Sequence, residues 1–536
     1  MGAGIRCFVA ESIMKNYKNR IITASLILIC IVQTGIFWYC GQKKSFLMCD
    51  ELFTYTSSNN AEIQAFDMPL NQWLDREWYL SQTTASQEHS FEYAIPYRNQ
   101  AADVHPPLYY ILIHTLSSFA PGKVSVAAGV GLNIFFMLGC TILIYFVTKE
   151  IFRSTGAGLL AAALFGVTYG ACNMVLFVRM YTMMAFWTLA HVFVCLHFLE
   201  QKIFTWKTYL FYGITLIFGV LTHYYFILLA FFLAAWYFVK LWVAKRYKED
   251  CLLHVEIEAC ALIALLIFPA MWKHIFNDYR GEGARKNLMQ FSGFKGALKN
   301  MFGFMNEQLF GGCLVLLLVL AVILAVVYLR KSGKFPWREL GKLFPVLFMA
   351  GGYFVLVTKI APYTTDRYLM PIYPISYLIA VGGLCWILGK FVKHRIVWAV
   401  CGAVFLGLSV NEFANGIPHY AYADFKPHLE LAEEYSDTYC VYIDREYDWW
   451  EYYHVIQLLK EHKGFYCISY AAITDDIRGG MEKLDGEKQV IVYVGNSELD
   501  EEITAYIQET VGAKEMILID EYDRWKIYLG ERKAGG

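Results

Sequence analysis

The sequence predicts a mostly α, polytopic membrane protein of about eleven transmembrane helices, with a small C-terminal α/β domain. Three observations predict it. Of the 536 residues 57% are hydrophobic and 17% aromatic, and the mean hydropathy is +0.38, too apolar for an ordinary soluble chain. Six runs, 21–39, 124–147, 156–178, 180–199, 309–329 and 368–388, contain no Asp, Glu, Lys or Arg. Each reaches or nears the ~20 residues that cross a bilayer. Charge is also sorted along the chain. Residues 411–536 hold 26 acidic and 12 basic residues, so a formal net charge of −1 hides +13 before that point and −14 after it.

Taken in order, residues 1–20 read as a basic cytoplasmic N-terminus. Span 21–39 is long for a signal-peptide core and has no small-residue cleavage site after it, so it reads as a retained helix. A large loop, 40–123, follows. Weaker spans at 208–221, 224–239, 252–272, 343–357 and 396–410 bring the count to eleven and define a transmembrane module over 21–415. With the N-terminus inside, the inner segments carry 20 Lys and Arg in 67 residues and the outer ones 14 in about twice that length. That is the bias expected of cytoplasmic loops. Eleven crossings then place the C-terminal domain outside.

The polar residues that stand out all fall on the outer side of this topology. Asp50 and Glu51 follow the first span. Adjacent carboxylates there serve either as helix cap or as general base and metal ligand, and two neighbours cannot point the same way. Asp103-Val104-His105-Pro106-Pro107 opens a predicted helix over 106–120. Its residues Leu108, Ile111, Leu112, Leu116 and Phe119 form an apolar stripe suited to the membrane interface. His105 reads equally as a cap and as a catalytic group. Arg179 interrupts 44 apolar residues, which is costly unless it meets water, a carboxylate or a phosphate; snorkelling to headgroups is the plainer reading. Thr222-His223-Tyr224 and Asp366-Arg367-Tyr368 complete the set, with an aromatic belt and an internal ion pair as their plainer readings. Arg179, Arg367 and Lys359 together suit an anionic headgroup.

Over 425–533 the pattern alternates. Strands are predicted at 438–444, 465–470, 489–495, 515–520 and 525–531, with a hairpin across 521–524. Helices are predicted at 448–462, 474–484 and 499–511. This is a small α/β unit with a partly parallel sheet. Trp449, Trp450, Tyr452 and Tyr453 either pack a helix face or stack on sugars. Cys440 and Cys467 fall in two strands and read as buried free thiols. No Walker A loop, GxGxxG, HExxH, GxSxG or Cys/His metal spacing occurs. Basic residues track the membrane and form no nucleic-acid patch. The sequence leaves oligomeric state open.

An Asp-Glu pair after the first span, then Asp-x-His-Pro-Pro-Leu about 50 residues on, resembles the first outer loop of protein O-mannosyltransferases. The Arg-x-Tyr of 179–181, the Thr-His-Tyr of 222–224 and the Arg-Tyr-Leu-x-Pro of 367–371 resemble bacterial GT-C glycosyltransferases, which include the lipid A aminoarabinose transferases. The resemblance covers roughly 20–390. It implies a GT-C fold and inverting transfer from a polyprenyl-phosphate sugar at the outer face of the cell membrane. It implies catalytic roles for Asp50, Glu51 and His105, and donor-phosphate binding by Arg179, Arg367, His223 and Tyr181. Asp103, Tyr224, Asp366 and Tyr368 would support them. The chain departs from the mannosyltransferases at Tyr109, where they favour Gly-Lys. No cofactor is certain; a divalent metal is one option, with Glu88, His89 and Asp103 as donors. Polyprenyl phosphate is a good leaving group, so a base and a phosphate clamp suffice. Partial burial beside Glu51 would raise the pKa of Asp50 toward that of a working base. Membrane lipid is the surroundings of such a site. The competing readings are a transporter or flippase of a lipid-linked sugar, and a scaffold presenting the acidic domain.

Overall fold

The computed structural model describes residues 2–62, 69–444, 449–469, 480–495, 501–522 and 525–532. Among these, eight helices are long and apolar enough to cross a membrane: Lys18–Gly41, Val126–Phe152, Tyr181–Leu199, Phe226–Val243, Leu314–Ser332, Leu343–Ile360, Met370–Leu388 and His394–Ala414. Two bent pairs raise the number to ten. They are Thr155–Phe165 with Tyr169–Leu176, bent by 58°, and Tyr247–Ile267 with Ala270–Met289, bent by 108°. The eleventh expected span, 208–221, is the 17-residue helix Trp206–Thr222. At 1.5 Å per residue it covers about 26 Å, short of the ~30 Å hydrocarbon core. None of the apolar window in Leu314–Ser332 is buried within the protein. Such a surface suits a lipid surround, and the chain is a multi-pass membrane protein.

The chain divides into two compact units. The first comprises Met1–Gln42, Val104–Tyr109 and Gly129–His419; the second comprises Lys43–Asp103, Tyr110–Ala128 and Tyr420–Gly536. In the first unit the helices are joined by small residues and buried polar contacts, the usual cement of a bundle in lipid. Gln33 donates to the carbonyl of Ala162 at 2.8 Å and accepts from the Thr141 hydroxyl at 2.7 Å, linking three helices through one amide. A side chain at Gly158 would meet the Tyr145 carbonyl at 2.8 Å, so glycine there sets how closely Thr155–Phe165 approaches Val126–Phe152.

The second unit is built on a six-stranded sheet. Its strands are β1 (Trp73–Leu74), β2 (Tyr439–Asp444), β3 (Gly464–Ser469), β4 (Gln489–Gly495), β5 (Ala513–Tyr522) and β6 (Trp525–Arg532), in the order β1-β3-β2-β4-β6-β5. β2 runs parallel to β3 and β4, and the β4–β6 and β5–β6 pairs are antiparallel. The five C-terminal strands match the alternation in the sequence. β1 does not, because it comes from the first loop and pairs antiparallel with β3. The sequence groups the first loop with the transmembrane module. In the structure its Phe46, Leu52 and Tyr79 share one core with Tyr442, Tyr452, Ile456 and Trp525. Burial of those aromatics, spread over 480 residues of chain, is what joins the two segments.

Three local expectations change. The helix expected at 106–120 runs Leu108–Ser118, because each proline disfavours helical backbone at the residue before it. Residues 103–107 therefore connect this helix to Ala94–Ala102, and Asp103 closes the earlier helix instead of opening the later one. The apolar stripe of Leu108–Ser118 is its less buried side. Tyr109, Tyr110, Ile113 and His114 are buried while Phe119 is 74% exposed, as suits a helix whose apolar face meets lipid. In the C-terminal segment Tyr452 and Tyr453 are buried core residues; the side chains of Trp449 and Trp450, and most of the helix expected at 474–484, lie outside the described residues. Cys440 and Cys467 are free and buried, and burial pushes both thiols above the ordinary range.

Candidate active site

In the second unit, Asp50 and Glu51 fall in the first turn of Cys49–Asn59, where helix-dipole and orphan amides favour carboxylates. The two part company there. Glu51 is completely buried. Its Oε2 accepts from the Met48 amide at 2.9 Å and pairs with the Lys44 ammonium at 3.0 Å, both side chains being 0% exposed. Lys44 also donates to the Tyr420 carbonyl at 2.7 Å. Burial pushes the Lys44 pKa below the ordinary lysine range, and the Glu51 charge only partly restores it. Glu51 is thus the structural member, satisfying a helix terminus and a buried cation. Asp50, one residue earlier, is half-buried.

In the first unit the site forms around the break between Tyr169–Leu176 and Tyr181–Val194. Arg179 sits in that break with 4% exposure. Broken helices leave carbonyls without partners, and Asn133 supplies them. Its amide donates to Val175 at 3.1 Å and to Phe177 at 2.7 Å. Asn133 is itself oriented by the Tyr109 hydroxyl, which donates to its Oδ1 at 2.9 Å. Tyr109, the departure from the mannosyltransferase motif, therefore helps hold the break that carries Arg179. Removing its hydroxyl by Tyr109→Phe leaves a buried acceptor unpaired, at a cost of about 1–3 kcal/mol. Thermal unfolding in detergent should show the loss; an unaltered midpoint together with unaltered activity would contradict this role.

Aromatic rings close the site. The His105 and His223 ring centroids lie 6.0 Å apart, His223 is 5.5 Å from Tyr181, and Tyr181 is 6.3 Å from Tyr368. Tyr225, not singled out in the sequence, bridges His223 at 5.0 Å and Tyr368 at 5.6 Å. The Tyr353 hydroxyl fixes this end by donating to the Tyr368 carbonyl at 2.8 Å. His223 ends helix Trp206–Thr222, and its Nδ1 accepts the Tyr225 amide at 3.0 Å. An imidazolium has no lone pair to accept with, so this ring is neutral with its proton on Nε2. Burial, reinforced by the nearby His105 and Arg179, pushes its pKa well below the ordinary range. His223 is a neutral hydrogen-bond donor at this site, and Arg179 brings the charge.

Asp366, Arg367 and Tyr368 form a buried 3₁₀ turn. Asp366 accepts from the Gln308 amide at 2.7 Å and lies 3.8 Å from His419, whose Nδ1 is 3.1 Å from the Asn173 amide. Arg367 lies over the Tyr368 ring at 5.3 Å. Tyr224 turns elsewhere, to His274 Nδ1 at 2.8 Å. Lys359 is engaged by the carbonyls of Asn287 and Gln290, which draws it away from the headgroup role. Arg179, Tyr181, His105, His223 and Tyr368 are brought together in the first unit, and Asp50 and Glu51 in the second. Lys44, Asn133, Tyr225, Gln308 and His419 were missed. Lys44 and Asn133 had one available signal, a polar side chain beside or within an apolar run.

Among the described residues no group of three or more His, Cys, Asp and Glu side chains is placed to hold a metal ion. His89 pairs with Glu92 at 2.8 Å, and Asp103 follows a helix end. The donors suggested by sequence do not make a metal centre.

No family model and no curated protein matches the chain. Among solved structures, that of ArnT from Cupriavidus metallidurans bound to undecaprenyl phosphate, a lipid A aminoarabinose transferase, is similar over 95% of this chain and 98% of that one, at 11% identity and a TM-score of 0.52. The Archaeoglobus fulgidus oligosaccharyltransferase in complex with Zn and sulfate covers 87% of this chain and 67% of its own, at 14% identity and a TM-score of 0.48. At such identity the likeness to ArnT speaks for architecture, and the chain has the polytopic fold of the GT-C class of membrane glycosyltransferases.

Proposed function

We propose that the chain is an inverting glycosyltransferase that moves a sugar from a polyprenyl-phosphate donor to an acceptor at the outer face of the cell membrane. The observation that carries this reading is the buried Arg179, in a helix break braced by Tyr109 and Asn133, with His223 and Tyr181 near it. A fixed guanidinium at a membrane boundary suits a phosphate. ArnT, which shares the fold, was crystallised bound to undecaprenyl phosphate. In the reaction, an acceptor hydroxyl attacks the anomeric carbon while its proton passes to Asp50. The bond from that carbon to the phosphate oxygen breaks, and the oxygen leaves with the electron pair. Arg179 and Arg367 stabilise the charge that gathers on it, and His223 Nε2–H and Tyr181 add hydrogen bonds. Attack opposite the leaving group inverts the sugar. Arg179→Ala should weaken the apparent affinity for a polyprenyl-phosphate sugar at least tenfold in a detergent assay; an unchanged donor affinity would remove it from the clamp.

The second unit also supports an outer location. Its two segments share one core, so they lie on the same side of the membrane, and an even number of crossings must separate them. Seven full spans and two bent pairs give nine between them. Reading the 17-residue Trp206–Thr222, at the short end of bilayer-crossing helices, as the tenth supports the eleven crossings read from the sequence and, with basic residues inside, an outer location. One observation favours a transporter: bent helix pairs are also how such proteins build their sites. Reconstituted vesicles separate the readings, since a transferase yields a glycosylated acceptor and free polyprenyl phosphate, and a flippase yields only a change of leaflet.

A further inference from the structure

We infer that the second unit carries an oxyanion subsite that holds a phosphate group of the acceptor. A cavity of about 480 Å³ lies wholly within this unit, in the size range that small ligands occupy. Arg76, Lys123 and Lys460 line it, as does Lys44, whose ammonium is itself fully buried against Glu51, and no carboxylate does. The carboxylates that pair with these cations are not among the lining residues. Glu51 pairs with Lys44 at 3.0 Å; Glu461 lies 3.1 Å from Arg76 and also contacts Lys460. Lys123 has no ion-pair partner among the described residues. Four cations against two carboxylates leave a net charge of +2 around a concave wall, an arrangement that concentrates positive potential.

The local structure accounts for each cation. Gly122 adopts φ +73°, open to glycine at little cost, and its amide donates to the Ala85 carbonyl at 3.0 Å. That turn delivers Lys123 to the cavity. Arg76 begins helix Arg76–Thr83, whose cap, Asp75, is occupied by the Trp78 amide at 2.9 Å. Lys460 follows helix Trp449–Leu459 and lies 5.6 Å over the buried Tyr79 ring. A dianionic phosphate monoester matches the +2 charge, where a carboxylate would leave one charge unmatched. The ammonium groups of Lys123 and Lys460 are point charges that suit a tetrahedral oxyanion.

Lys44 ties the cavity to the proposed active site, since it lines the wall and also pairs with Glu51, the neighbour of Asp50. The assignment of the bound group to an acceptor rests on the transferase reading; the binding itself does not. The test is calorimetry on the full-length protein in neutral detergent at low salt, with glucose 6-phosphate and with dihexanoyl phosphatidic acid. Saturable binding is expected, weakened at least tenfold, about 1.4 kcal/mol, in an Arg76→Ala/Lys123→Ala variant of unaltered unfolding temperature; both side chains are exposed. Comparable affinity for the two probes assigns the subsite to a phosphorylated glycan, and tenfold tighter binding of the lipid assigns it to a lipid headgroup. Absence of saturable binding by both probes, or equal binding by the variant, overturns the subsite. No donor is needed, so this outcome is read independently of Asp50→Asn turnover.

Discussion

Asp50→Asn is expected to lower sugar transfer by roughly 10²- to 10⁴-fold, the usual contribution of a positioned general base, while the protein expresses and unfolds as the wild type does. The expectation follows from the division of labour in Cys49–Asn59. Asn keeps the size and the polar head of Asp50 but cannot accept a proton from an acceptor hydroxyl. The measurement is the single-turnover rate with a saturating polyprenyl-phosphate sugar, paired with a thermal melt. Full turnover by the variant would take Asp50 out of the mechanism. A loss of activity that merely tracked a loss of folded protein would do the same.

Glu51→Gln should have the opposite signature, with the damage appearing as instability. It leaves the Lys44 ammonium fully buried beside a neutral amide. Breaking a buried pair by removing one partner costs about 3–5 kcal/mol, because the remaining charge is uncompensated. The pH dependence has a definite sign. Burial holds the Lys44 pKa below its unfolded value, so the unfolded state binds more protons between those two values. Stability then rises with pH through that window, toward the ~10.4 of an unfolded lysine, and the rise should be steeper in the variant than in the wild type. Replacing both partners, Lys44→Met with Glu51→Leu, should recover much of the loss, as apolar substitutes for buried pairs often do. A variant as stable as the wild type across pH would show that Glu51 is not holding a buried cation.

The contrast between these neighbours shows what was legible and why. An Asp-Glu pair after the first span announced a site, and the geometry of any regular element said that the two carboxylates would diverge. Which would do which depended on Lys44, seven residues before Glu51, and on the Tyr420 carbonyl from the far end of the chain. No spacing rule reaches that partner. Tyr109 is a similar case. Its motif position marked it as a departure, but its contact, Asn133, sits in a different helix and acts on a break 44 residues further along, at Phe177. Arg179 was legible because one guanidinium in 44 apolar residues is an energetic anomaly that needs no partner to be noticed.

By itself the sequence determined the membrane class, the run of apolar helices and five of the six strands. Hydropathy and the two-residue and 3.6-residue periods are properties of neighbours along the chain, and both report local burial directly. Tertiary structure alone decided that the first loop joins the C-terminal segment, that β1 extends its sheet, that Glu51 is buried against Lys44 and that cations scattered along the chain line one cavity. Those outcomes turn on contacts between residues hundreds of positions apart. Such contacts are selected by the shape and charge of a core that exists only once both segments have folded onto it.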